Sequence, residues 1–106
     1  MTGEQFVKLC SEEVKTILKE YFDPNTQTEV GQRIQKLVKN GVCRDELKEL
    51  VNLVLSENYY TLLLALDGEA SLGGEQMSYR LYDENGNCLN SCGEIEEAAF
   101  KYFMEE

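Results

Sequence analysis

From Phe6 to Leu66 the apolar residues return at three- and four-residue steps, and at Asp67-Gly68 that rhythm stops. Such a period places the apolar side chains on one face of a helix, so everything up to Leu66 is restricted to amphipathic helices. A first helix is expected over residues 4–22, with Phe6, Leu9, Cys10, Val14, Ile17, Leu18 and Tyr21 on its apolar face and Thr2 as N-cap. Asp23-Pro24-Asn25 should end it, because the residue before a proline is pushed out of the α region. A second helix is expected over residues 28–40, striped by Val30, Ile34, Leu37 and Val38 and stopped by Asn40-Gly41. A third starts near Arg44 and reaches Leu66, as one helix or as two divided near Ser56–Asn58.

Beyond Gly68 the pattern changes. Residues 69–76 hold Gly73-Gly74 and read as a loop. Met77, Tyr79 and Leu81 alternate with Ser78, Arg80 and Tyr82, which is the period of a strand. Asn85-Gly86 is a strong hairpin-turn dipeptide, and Cys88–Asn90 would be the returning strand. A last helix over residues 94–104 turns Ile95, Ala98, Ala99, Tyr102 and Phe103 inward, with Ser91 or Gly93 as its cap. The expected fold is therefore α+β: a single compact domain of residues 1–106, with three to five helices packed on a small antiparallel β-hairpin. The apolar stripes are expected to form its core.

Charge bounds the function. The 106 residues carry twenty acidic and ten basic side chains and no histidine, for a net charge of −10. Such a field repels phosphate backbones and acidic membrane surfaces and attracts basic partners. The lack of histidine removes the commonest general base and metal ligand. No nucleic acid, no membrane and no cofactor are expected, and the chain is not expected to be an enzyme. The N-terminus lacks a basic region followed by an apolar run, so a cytoplasmic location is expected. In that reducing compartment Cys10, Cys43, Cys88 and Cys92 would stay thiols, and their spacing fits neither a zinc knuckle nor a redox pair.

Two constellations look chemical. Asp83, Asn85, Asn87 and Glu94 match four ligand positions of an EF-hand loop, but Cys88 occupies the position that needs glycine, and a strand pattern precedes it where a helix belongs. Asp67 and Glu69, beside the Gly73-Gly74 loop, could hold a divalent cation, although Asp-Gly is also an ordinary way to leave a helix. Tyr82 beside Asp83 and Glu84 offers an aromatic with carboxylates at a hairpin tip, and Glu69 and Glu75 on the neighbouring loop extend it.

The run Leu62-Leu63-Leu64-Ala65-Leu66-Asp67-Gly68, followed by Tyr79-Arg80-Leu81-Tyr82-Asp83 and then Asn85-Gly86, resembles small acidic bacterial proteins. Some of these act as immunity proteins in polymorphic-toxin systems. The resemblance implies a cytoplasmic inhibitor that neutralises a toxin by binding it. The leading expectation is thus an acidic protein-binding module, an immunity-type inhibitor that occludes a basic active site with Tyr82, Asp83, Glu84, Glu69 and Glu75. One alternative is a metal-dependent enzyme using the Asp67 and Glu69 carboxylates. Another is a structural or regulatory domain, monomer or homodimer, acidic only for solubility.

Overall fold

The computed structural model describes residues 1–105. Its elements in order are α1 (Gly3–Tyr21), α2 (Glu29–Lys39), α3 (Arg44–Leu66), a 3₁₀ turn at Ser91–Gly93, α4 (Glu94–Ala99) and a π-helical turn at Phe100–Met104. The chain divides into two compact units. The first joins residues 1–11 to residues 56–106, and the second is residues 12–55. Both divisions fall inside helices, α1 and α3.

Local sequence sets the helix ends. Thr2 and Gln5 form a reciprocal capping box on α1: the Gln5 amide donates to Thr2 Oγ1 at 3.1 Å, and the Thr2 amide to Gln5 Oε1 at 2.8 Å. Thr28 caps α2 by accepting from the Gly31 amide at 3.0 Å. Gly41, at φ 101°, closes α2 with a Schellman motif. In it the Val42 amide reaches the Leu37 carbonyl and the Gly41 amide the Val38 carbonyl. The same pair of bonds recurs at the end of α3 around Gly68. α3 runs unbroken through Ser56–Asn58, so it is one helix.

In the first unit Val7, Leu63, Ile95, Ala98 and Ala99 are buried together. Phe6, Cys10, Tyr60, Leu66, Leu81, Tyr102 and Phe103 pack around them. Tyr59 stacks on Phe103 with ring centroids 6.3 Å apart. In the second unit the buried apolar side chains are Val14, Phe22 and Ile34. The stripes expected to be core are only partly so. Val30 and Leu37 on α2, and Leu50 and Val54 on α3, are exposed, Leu50 by 57%. Val30 and Leu37, with Ile34, Leu47 and Val51, line an open apolar groove of about 360 Å³.

The expected α+β fold is corrected: the described residues contain no strand and no sheet, and the architecture is helical. The alternating segment around Met77–Tyr82 reduces to one bridge between Tyr82 and Cys88. The reason lies in Asn90. Its Oδ1 accepts from the Leu81 amide at 2.9 Å, and its Nδ2 donates to the Tyr79 carbonyl at 2.7 Å. One buried side chain thereby satisfies backbone groups that a strand partner would otherwise serve. The returning segment is also short, because the 3₁₀ turn starts at Ser91. A two-stranded hairpin of that length is marginal in any case.

Candidate functional site

The candidate ligand and partner-binding residues all lie in the first unit, on the long connection between α3 and α4 except for Glu94, which opens α4. Asn90 is the hub of this connection. Besides Leu81 and Tyr79, it donates from Nδ2 to the Leu66 carbonyl at 2.7 Å and accepts from Cys88 Sγ at 3.5 Å. It ties the end of α3 to both limbs of the loop.

The tip is built by Asp83. Its Oδ1 accepts from the amides of Asn85 and Asn87, both at 2.9 Å, and its Oδ2 accepts from Asn87 Nδ2 at 3.0 Å. The amino terminus of Met1 also reaches Oδ2, at 3.2 Å. These bonds, those from Asn87 foremost, hold the Asp83 carboxyl well below the usual carboxylate range. The turn differs from the expected Asn-Gly hairpin. The Gly86 amide closes on the Asp83 carbonyl, so Glu84 and Asn85 are central and Gly86, at φ 82°, follows them.

Tyr82 is 56% exposed, and Glu84 is exposed beside it. Glu69 and Glu75 are exposed on the preceding loop. That loop is pinned by paired backbone bonds between Leu72 and Glu75 and by Gln76 Nε2 on the Gly68 carbonyl at 2.8 Å. Tyr82 and Glu84 thus share one rigid tip, and Glu69 and Glu75 sit on a second constrained loop. Asp83 differs from its neighbours: its side chain is 12% exposed and builds the tip from within.

Asp67 behaves differently again. Its Oδ2 accepts from the Glu96 amide at 2.7 Å, so it caps the first turn of α4 from the end of α3. Gly93, one of the two caps expected from sequence, holds the N-cap position of α4 in the left-handed conformation, and having no side chain it leaves the Glu96 amide to Asp67. Asp67 Oδ1 is buried without a hydrogen-bond partner. Burial raises the Asp67 carboxyl above its ordinary value, against the pull of the Glu96 and Ile95 amides. Asp67 therefore acts as a long-range cap, a role no sequence spacing announces. Among the described residues no three Cys, Asp or Glu side chains are grouped to hold a metal ion.

Charge is where the two units part. The first unit carries twelve acidic residues against three basic ones, Lys8, Arg80 and Lys101. One of those three is engaged, Lys101 donating to Glu4 Oε1 at 2.9 Å. That bond holds Glu4 below and Lys101 above their ordinary values. The second unit carries eight acidic residues against seven basic ones. Nearly all of the net charge of −10 thus belongs to the unit that presents Tyr82 and Glu84. No helix among the described residues is long and apolar enough to cross a membrane. No protein-family model, no curated protein and no solved structure matches the chain.

Proposed function

We propose that the protein is a binding module whose acidic unit docks on a basic protein surface. The observation that carries this reading is the partition of charge. Twelve carboxylates against three cations fall in one compact unit, which also bears an exposed tyrosine on a pinned tip. A field of one sign speeds and orients the encounter with a partner of the other sign, and a half-exposed aromatic supplies an anchor once contact is made. In its most concrete form the protein is a cytoplasmic immunity-type inhibitor: Tyr82, Glu84, Glu69 and Glu75 cover the basic cleft of a toxin, and Asp83 holds the tip that presents them. The Asp67 and Glu69 carboxylates serve less well as a metal-dependent catalytic pair. Asp67 Oδ2 is taken by the Glu96 amide, and the backbone around Glu69 is held by the helix-closing bond to Leu64.

The test is capture from a lysate of the source organism, followed by binding of the purified partner to wild type and to a Tyr82→Ala variant. A basic partner whose affinity falls about thirtyfold or more on loss of the ring supports the reading, since hot-spot truncations cost about 2 kcal/mol or more. An acidic partner, or one indifferent to Tyr82, contradicts it.

A further inference from the structure

The second unit holds a feature opposite in sign to the first. Two adjoining depressions share Phe22, Pro24 and Arg44. One, of about 460 Å³, is walled by Tyr21, Phe22, Pro24, Ile34 and Val38, with Gln35, Lys39 and Arg44 at its polar edge. The other, of about 490 Å³, is edged by Lys15, Lys19, Arg44 and Lys48. Half of the ten cations in the chain therefore border one small region. Acidic residues outnumber basic ones two to one, yet among the described residues no carboxylate lies within ion-pair distance of these five. Asp23 lines the basic depression, but its Oδ1 is occupied by the Asn25 amide at 2.7 Å.

Arg44 stands where the two depressions meet, and it is fixed there. One guanidinium nitrogen donates to the Phe22 carbonyl at 3.1 Å, and the group lies over the Phe22 ring, 5.3 Å from its centroid. A guanidinium has five N–H donors, so most of its planar fork is left for another acceptor. The apolar depression is equally well held. Phe22 and Ile34 are buried, and Gln35 Nε2 bonds the Asp23 and Pro24 carbonyls at 3.3 and 2.9 Å, fixing the turn that forms one wall.

We propose that this region binds a small anionic amphiphile, a molecule with an apolar body and a carboxylate or phosphate head. The body lies against Tyr21, Pro24, Ile34 and Val38. The head meets the Arg44 fork, with Lys15, Lys19 and Lys48 on one side and Lys39 on the other. Both depressions fall in the size range of small-molecule sites, in which apolar walls supply affinity and a few placed polar groups supply orientation. An acidic bilayer is the less suitable occupant, because the net charge of −10 opposes approach of the whole molecule to it.

The experiment is calorimetric titration of the full chain with decanoate and decyl phosphate, with decanol as the uncharged control and phosphatidylglycerol vesicles as the lipid-surface control. Saturable binding of at least one anion is expected, with decanol weaker than that anion by about tenfold or more. Arg44→Gln should weaken the anion by about tenfold, the effect of losing one charge-assisted contact. Lys39→Gln with Lys48→Gln, on exposed positions that leave the fold intact, should weaken it about threefold and flatten its salt dependence. Circular dichroism checks Arg44→Gln, and if that variant unfolds, the lysine pair decides. No binding of either anion at millimolar concentration, equal binding of decanol, insensitivity of the variants, or binding to vesicles alone would each overturn the proposal. These residues all lie in the second unit, so the outcome is independent of whether the acidic unit docks a protein.

Discussion

Asp67 and Asp83 show how far two aspartates of one loop can diverge. Asp83 accepts several hydrogen bonds and is held ionised, whereas burial pushes Asp67 toward its neutral form. The signs of their contributions follow. A folded carboxyl held below its unfolded value of 3.8 stabilises above that pH, and the contribution is lost as pH falls through the folded value. Glu4, lowered by Lys101 from 4.5, acts in the same direction. Asp67, raised from 3.8, does the reverse: its contribution is present in acid and is lost as pH rises through the folded value. Urea unfolding at pH 7 and pH 3 should therefore show a smaller acid loss for Asp83→Asn than for wild type. An equal loss would mean that the Asp83 carboxylate is not what the acid removes. Asp67→Ala should lower stability by about 1 kcal/mol, the usual cost of an N-cap. Asp67→Asn keeps an acceptor for the Glu96 amide without the charge, and should cost clearly less in the same measurement. Neither role was legible in the sequence. Asp67-Gly68 reads as a helix stop, which it is, but the amide it caps lies 29 residues away. Asp83-Glu84 reads as two equivalent exposed acids, and only the amides facing Asp83 separate them.

At the scale of elements, helix starts and stops were written locally, and the structure follows them closely. Thr2, Thr28, Gly41 and Gly68 act where their chemistry places them, and the proline turn after Tyr21 ends α1. The alternation over residues 77–82 suggests a hairpin that the described residues do not form, because alternation records only which way side chains point. It does not say where backbone hydrogen bonds go, and here Asn90 accepts from the Leu81 amide and donates to the Tyr79 carbonyl. Periodicity also overstated the core, since the stripes of α2 and α3 are wider than the surface their own unit buries. The Asn90 reading has a consequence for stability. Asn90→Ala leaves the Leu81 amide and the Leu66 and Tyr79 carbonyls without their partner. Truncating one such hub should cost about 2–3 kcal/mol, because unsatisfied buried groups cost about 1–3 kcal/mol each and some regain water. Hydrogen exchange should then speed up across residues 77–90 while the amides of α2 stay protected. Unchanged exchange at Leu81 would show that Asn90 is not the clamp of this connection.

For the whole molecule, the net charge of −10 conceals an uneven partition between the two units. A count along the sequence shows the second half to be acidic. It cannot show that residues 1–11 join that half, or that residues 12–55 form a nearly neutral unit with five of its seven cations bordering the depressions that meet at Arg44. The tip residues Tyr82 and Glu84 were legible as exposed, because a turn dipeptide and neighbouring carboxylates mark a loop apex. The central claim is that the acidity of the first unit guides association. It is tested most directly by the association rate with the captured partner at about 20 mM and 200 mM salt, for wild type and for Glu69→Lys with Glu75→Lys and Glu84→Lys. Wild type should associate markedly faster at low salt. The triple variant should be slower there by about tenfold and nearly insensitive to salt, because screening acts on the long-range attraction that steers encounter. A triple variant that associates as fast as wild type at low salt, with the same salt dependence, would contradict the account and leave the negative charge a matter of solubility.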